Sequence, residues 1–152
     1  MEVKVATIDS PAAKASVLAM LIATHAEPKS SEVRMLEDAD AFRELGISRS
    51  EFFRVVDYYR SGPCHALPGR MWLTFEDGHV ISEILDKVHD PDSRLLLCRL
   101  AQLVIVADGH ITEIERQMYD RMLLRWGYTR STVVEAILAR QSRRNRRKRT
   151  GH

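Results

Sequence analysis

One short segment, residues 106–115, ends one helix and begins the next, and it constrains the fold more than any other part of the sequence. The apolar run Leu95–Ala107 has helical spacing, and Gly109 is the residue type that helices favour just past their last turn. Thr112 can then cap a new helix while Glu115, three positions on, reaches back to the cap's own amide. The segment therefore predicts two successive helices joined by a short loop.

Similar helix signals follow one another along the chain, whereas strand signals barely occur. Ser10 and Asp90 each precede a proline, the residue favoured at the first helical position, and Ser48 with Glu51 has the spacing of another capping box. We expect an all-α protein, a single-domain bundle of about seven helices. Three of the predicted helices have both ends defined: Ser31–Leu45, Val80–Val88 and Glu113–Trp126. The other four are defined by the residue at which they begin, which is Pro11, Ser48, Pro91, and Thr129 or Ser131.

A long loop interrupts this pattern between residues 61 and 78, where two prolines and three glycines occur. Its apolar stretch Met71–Phe75 is predicted to pack onto the helical body, with a short strand as the alternative. The adjacent pair Cys64 and His65 could form a nucleophile with its base or half a metal site, but neighbouring side chains on a loop rarely converge. Buried, unreactive thiols are the favoured interpretation of Cys64 and Cys98.

Length and composition favour one globular domain. The chain has 152 residues, of which 45% are hydrophobic and 29% charged, enough to bury a core without disulfides. No apolar stretch approaches the roughly 20 residues that a membrane span requires, and the first residues have no secretory signal, so we expect a cytoplasmic protein. The predicted organisation is an N-terminal segment (1–11), a helical domain (12–140) and a basic C-terminal tail (141–152).

The charge of the chain is divided unevenly. Of its 23 Lys and Arg residues seven lie from Arg140 onward, where there is no Asp or Glu, so the preceding part has 16 basic and 21 acidic residues, or −5. Such a tail can contact nucleic acid weakly and non-specifically, since it has no aromatic residues for base stacking. It can equally meet an anionic lipid surface, or remain a solvated extension that improves solubility.

A faint internal repeat appears when Glu32 is aligned with Glu115. His25 then falls on Asp108. Each copy closes on a similar pattern, Leu45-Gly46-Ile47-Ser48 in the first and Trp126-Gly127-Tyr128-Thr129 in the second. The first copy needs a two-residue insertion for this match. The repeat predicts two similar halves, and the alternative is a pair of independent helical hairpins of similar design.

These residues resemble the TerB-like tellurite-resistance family. The likeness lies in Ala107-Asp108-Gly109, Ile111 and Glu115, followed by an apolar helix that closes at Trp126-Gly127-Tyr128. The resemblance implies an all-helical fold of two similar halves and an acidic cluster that binds divalent metal. The resemblance implies a metal-binding role for Asp108 and Glu115, which match the family's second signature, and for Glu32, which matches the first. The first signature commonly contains Asp-Gly, and in this sequence His25 and Ala26 stand in those places.

The chemistry of these side chains allows two interpretations. Oxygen ligands from Asp108, Glu115 and Glu32 suit Ca²⁺ or Mg²⁺. Imidazole ligands from His25 and His110 would shift the preference toward Zn²⁺ or another transition ion. Alternatively, Glu115 completes a capping box and Asp108 accepts amides at the start of the next helix, and no ligand is needed.

No phosphate loop, nucleophile elbow or dinucleotide motif occurs, so we expect no enzymatic activity. The predicted function is a non-catalytic stress-response or metal-sensing interaction module of a bacterial type, with an unidentified protein partner. The alternative is an adaptor whose basic tail binds nucleic acid or an anionic membrane surface.

Overall fold

The computed structural model describes residues 7–24, 30–68, 70–107 and 111–150, without the side chains of residues 30 and 148–150. The part of the chain that it describes contains eight helices and no strand, so the predicted all-α fold is confirmed. The helices are α1 (Pro11–Ile22), α2 (Ser30–Asp38), α3 (Ala41–Leu45), α4 (Arg49–Ser61), α5 (Phe75–Asp86), α6 (Pro91–Val106), α7 (Glu113–Trp126) and α8 (Arg130–Thr150).

The helices form two halves that each pack their first helix on their last. In the first half α1 packs on α4, in the second α6 packs on α8, and α1 and α6 contact each other between them. The connections that precede α4 and α8 match closely, because Gly46 has φ 75° and ψ 29° and Gly127 has φ 77° and ψ 28°. Glycine adopts this left-handed conformation without the steric cost that other residues incur. The two halves therefore match at these connections, whereas α2 packs on α6 of the other half and its counterpart α7 packs on α6 of its own.

Helix α1 lies at the centre of the core. Every residue from Ala15 to Ala23 is at most 5% exposed, because the sequence is apolar or small on all sides of the helix, and a helix of that kind must be enclosed by its neighbours. Its start is set by Ser10, whose hydroxyl accepts a hydrogen bond from the Ala13 amide at 3.1 Å, with Pro11 at the first helical position.

The predicted single helix Ser31–Leu45 is wrong, because the chain breaks between α2 and α3. Asp40 takes a left-handed conformation with φ 54°, which ends α2 and starts α3 in a new direction. The stretch from Glu32 to Gly46 is two residues longer than its counterpart in the second half, where α7 is one unbroken helix. The break accommodates the two extra residues.

The prediction that Met71–Phe75 packs onto the body is confirmed only for Leu73, which is half-buried against the core. The side chains of Met71, Trp72 and Phe75 are 69%, 68% and 94% exposed. The backbone of this stretch, unlike these side chains, is fixed to the helical body. The Gln117 side chain accepts a hydrogen bond from the Leu73 amide at 2.9 Å and donates one to the Met71 carbonyl at 3.1 Å.

Helix α5 consequently begins at Phe75, before the predicted start at Val80. Thr74 caps it in a reciprocal capping box with Asp77. The Thr74 hydroxyl accepts from the Asp77 amide at 3.1 Å, and the Asp77 carboxylate accepts from the Thr74 amide at 3.0 Å. Two otherwise unpaired amides at the helix start are thereby satisfied, which outweighs the low helix propensity of Gly78.

Asp9 holds the turn between α5 and α6 in place. Its Oδ1 accepts hydrogen bonds from the amides of His89 and Asp90 at 2.7 and 3.0 Å, and its own amide donates to the Lys87 carbonyl at 2.8 Å. The two backbone donors favour the charged carboxylate and lower the pKa of Asp9 below its ordinary value of 3.8.

We expect this contact to make folding acid-sensitive. Because the pKa of Asp9 is lower in the folded state, the contact stabilises the protein fully above the unfolded-state pKa and loses this contribution as pH falls through the folded-state pKa. Between pH 7 and pH 3 the wild type should therefore lose more unfolding free energy in urea than Asp9→Asn does. An equal loss in the two proteins would contradict the role of the charged carboxylate, and Asp38→Asn, at an exposed site on α2, controls for general charge removal.

Candidate functional site

Two carboxylates are buried in the described part of the chain, Glu32 and Glu115, each 1% exposed. They occupy matching places, since each is the third residue of the helix that follows the first helix of its half. Burial of an ionisable side chain is costly and requires compensation by partners. The internal repeat aligns Glu32 with Glu115, and the TerB-like resemblance predicts a metal-binding role for both. These are also the two carboxylates that are buried in the described part of the fold.

The partners of Glu115 identify a capping role. Its Oε1 accepts hydrogen bonds from the Thr112 amide at 3.3 Å and the Thr112 hydroxyl at 3.0 Å. The hydroxyl in turn accepts from the Glu115 amide at 3.1 Å, so the capping box predicted at the start of α7 is confirmed. The same side chain can serve a helix cap and a ligand only if its second oxygen is available to the ligand.

The rest of the predicted metal set cannot be located. Asp108 and His25 lie outside the described residues, in the stretches 108–110 and 25–29 that precede α7 and α2. Among the residues that are described, no group of three or more His, Cys, Asp or Glu side chains is arranged to hold a metal ion. The four-residue site of Asp108, Glu115, Glu32 and His25 stays a prediction.

The cysteines are buried free thiols, as predicted. Burial, and to a smaller degree the negative charge of Asp77, raises the pKa of Cys64 to about 12, and burial raises the pKa of Cys98 to about 12 as well. A thiol is nucleophilic as the thiolate, so neither cysteine is activated at neutral pH. His65 is exposed while Cys64 is enclosed, which argues against a shared site for this pair.

The basic C-terminal residues form part of a continuous helix. α8 crosses the predicted tail boundary at residue 140 without a break and packs on α6. Arg140 forms an ion pair with Glu44 of α3, which joins α8 to the first half of the fold. The division of the chain at residue 140 stays a prediction.

One face of α8 borders an arginine-rich surface cavity of about 290 Å³, which we term the arginine cleft. It is lined by Ala39, Asp40, Arg140, Arg143, Arg144 and Arg147. The four arginines have the spacing i, i+3, i+4, i+7, which places them on one side of a helix. This spacing was visible in the sequence, whereas the contribution of the α2–α3 turn was not.

Most arginines of the cleft have no acidic partner. Arg140 is paired with Glu44, but among the described residues no carboxylate lies within ion-pairing distance of Arg143, Arg144 or Arg147. Three guanidinium groups without counterions on one face create a positive potential that attracts anions.

A wider cavity of about 660 Å³ lies elsewhere, between α5 and α7, and its lining residues include Leu73, Asp120, Leu124 and Arg125. Two of its three charged lining residues are already paired, and the third is Arg121. Arg125 donates to Asp86 at 2.7 Å, and Asp120 accepts from Arg130 at 2.5 Å. Because it offers one arginine outside these pairs where the arginine cleft offers three, this cavity is a weaker candidate for an anionic ligand.

The chain matches no protein-family model, and no curated protein and no solved structure shows significant similarity to it. Within the described ranges no helix is both long and apolar enough to cross a bilayer.

Proposed function

We propose that the protein is a non-catalytic adaptor that binds the phosphate backbone of duplex nucleic acid through the arginine cleft, while its helical body binds a protein partner. The observation that supports this most strongly is the arrangement of Arg143, Arg144 and Arg147, which line one cavity and form no ion pair with any carboxylate that the structure describes. Arginine binds phosphate oxygens in a planar, bidentate geometry and retains its charge at all physiological pH values.

The dimensions of the cleft suit a phosphate strand. From Arg140 to Arg147 the helix rises by about 10 Å, and a strand of duplex DNA presents about three phosphates over that axial length. α8 contains no aromatic residue, so base stacking contributes nothing to binding. The contacts would position the protein on the backbone without reading sequence.

The salt dependence of duplex binding tests this function. Each arginine that neutralises a phosphate contributes about −0.9 to the slope of log K against log salt, so Arg143→Gln/Arg147→Gln should flatten the slope by about 1.8. Between 50 and 200 mM salt the wild type should then lose about tenfold more affinity than the double variant. The measurement is fluorescence anisotropy with a labelled 20-base-pair duplex.

The matched control is Arg34→Gln/Arg54→Gln, which removes the same charge from exposed positions on α2 and α4. This variant should keep the wild-type slope. If the wild type binds no duplex at 50 mM salt, where electrostatic attraction is strong, the proposal is wrong. Tighter binding to anionic vesicles than to duplex at equal salt would instead assign the cleft to a membrane surface.

A second candidate function is divalent-cation sensing in a cytoplasmic, TerB-like stress-response protein. The observation that favours it is the burial of Glu32 and Glu115 at matching positions in the two halves, seven residues after His25 and Asp108 in the sequence. The TerB-like resemblance and this placement are its only support, and the ion would be Ca²⁺, Mg²⁺ or Zn²⁺.

Thermal unfolding with added metal separates this candidate from a purely structural role of the acids. A cation at a hundredfold excess over Kd should stabilise the wild type by about 2.7 kcal/mol, and Asp108→Asn should lose most of that gain. Glu115→Gln is the informative control, because glutamine retains the capping geometry but removes the charge. If millimolar Ca²⁺ and Mg²⁺ and micromolar Zn²⁺ all leave the melting temperature unchanged, the acids are structural.

A further inference from the structure

A second, smaller cavity adjoins the arginine cleft between α6 and α8. Its volume is about 90 Å³, and we term it the inner cavity. The two cavities share Ala39, Arg140 and Arg144. The inner cavity is lined by Ala39, Glu44, Leu96, Arg99, Leu100, Leu103, Ile137, Arg140, Gln141 and Arg144.

Arg99 is the unusual residue of this cavity. Its side chain is half-buried on α6, and its Nε is fully enclosed without a hydrogen-bond acceptor among the described residues. Burial lowers the pKa of Arg99, and the nearby positive charge of Arg143 lowers it further. By contrast, Arg116, Arg125 and Arg130 on the neighbouring helices each pair with an acid.

An enclosed guanidinium nitrogen without an acceptor destabilises a folded protein, because its lost hydration is not replaced. The positive charge of Arg143 increases this cost. The residues that line the two cavities include five arginines but two acids, Asp40 and Glu44. An anion in the inner cavity would supply the acceptor that Arg99 lacks and reduce the repulsion.

We propose that the inner cavity binds a single terminal phosphate, in the monoester form, through Arg99, Arg140 and Arg144. A phosphate monoester has three acceptor oxygens and a charge of about −1.5 to −2 at pH 7, which matches the net charge of +2 that the three arginines and Glu44 give the inner cavity. A phosphodiester offers two free oxygens and continues as a chain on both sides. The apolar side chains of Leu96, Leu100 and Leu103 on α6 close one side of the cavity, so an end group fits better than a continuing strand.

The source of the phosphate follows from the adjoining cleft. A strand that lies in the arginine cleft would reach the inner cavity with its end, so the ligand is a phosphorylated end of a nucleic acid, for which a 5′-phosphate serves as the probe. This assignment of the source rests on the proposed function, whereas the phosphate site itself rests on Arg99 and its cavity. The same chemistry is offered by free inorganic phosphate and by the headgroup of phosphatidic acid.

The test compares 12-base-pair duplexes with a 5′-phosphate or a 5′-hydroxyl. The wild type should bind the phosphorylated duplex about tenfold more tightly, as expected for added charge-assisted hydrogen bonds. Arg99→Met keeps the aliphatic stem but removes the charge, so it should bind both duplexes equally, within twofold of the wild-type affinity for the 5′-hydroxyl duplex. Arg54→Met, at an exposed position on α4, should retain the tenfold preference.

Stability without ligand gives an independent readout. Because the substitution removes a desolvated charge, Arg99→Met should raise the melting temperature of the ligand-free protein by about 2–4 °C. Inorganic phosphate should raise the melting temperature of the wild type but not of Arg99→Met. A lower melting temperature for the ligand-free variant, together with no response of the wild type to phosphate, would overturn the inference and make Arg99 a structural residue.

The outcomes also distinguish this inference from the proposed function. If both duplexes bind equally well to the wild type with a steep salt dependence, the cleft function holds and the terminal-phosphate site is wrong. If no duplex binds but inorganic phosphate stabilises the wild type through Arg99, the phosphate site holds and the proposed function is wrong. Preferential binding of phosphatidic acid over phosphatidylcholine vesicles would then identify a lipid source.

Discussion

Replacing Phe52 with alanine is expected to lower the unfolding free energy by about 3–5 kcal/mol. Phe52 is fully buried on α4, and its ring centroid lies 5.2 Å from that of Phe42 and 5.4 Å from that of Phe53. The substitution removes the apolar contacts of the ring and leaves a cavity that the surrounding helices can fill only in part. Urea unfolding followed by circular dichroism measures the loss.

Phe75 provides the matched control for this substitution. It is 94% exposed at the start of α5, so Phe75→Ala deletes the same atoms without opening a cavity and should change stability by no more than about 0.5 kcal/mol. Losses of similar size at positions 52 and 75 would show that the aromatic cluster of α3 and α4 is not part of the core.

The second large effect is expected in the other half, where Trp126→Ala should cost about 3–5 kcal/mol. Trp126 is 7% exposed at the end of α7. Its indole N–H donates to the Leu85 carbonyl at 3.4 Å, and the Arg94 guanidinium lies 5.6 Å from its ring. One side chain thus connects α5, α6 and α7, and its removal weakens all three contacts.

Trp126→Phe should lose less stability than Trp126→Ala, because it retains an aromatic ring but not the donor to Leu85. Trp72→Ala is the control for tryptophan loss, since Trp72 is 68% exposed. Both Phe52→Ala and Trp126→Ala should shift one cooperative transition, as in a single domain. Two separate transitions in either variant would contradict a shared core between the halves.

Local signals explain why much of the fold could be predicted from the sequence. The bounds of α7 were predicted correctly as Glu113–Trp126, since Thr112, Glu115 and Gly127 determine both ends within a few residues. The starts of α1 and α6 followed in the same way from a capping residue before proline. In each case the hydrogen-bonding partners are close in sequence, and therefore visible in it.

Features that depend on distant contacts could not be predicted in this way. Met71–Phe75 has the composition of a core segment, but Gln117, more than 40 residues away, holds its backbone so that Met71, Trp72 and Phe75 face outward. The break between α2 and α3 at Asp40 is likewise not indicated by the neighbouring sequence. It follows from the two extra residues that the first half must accommodate.

The residues of the candidate site also include some that the sequence indicates and some that only the fold reveals. The run of arginines after Arg140 was evident, but its helical continuation and its position beside the α2–α3 turn depend on tertiary packing. Arg99 carried no signal at all, because a single arginine in an amphipathic helix is ordinarily exposed. Only the fold shows that its Nε is enclosed.

The burial of α1 on every side determines which backbone amides are exposed to solvent last when the protein unfolds. A backbone amide exchanges its proton with water only after its hydrogen bond breaks and solvent reaches it. Solvent can reach Ala15–Ile22 only if α1 separates from α4 and from α6, which belong to different halves. We therefore expect isotope exchange over this stretch to require the separation of both halves, as in global unfolding.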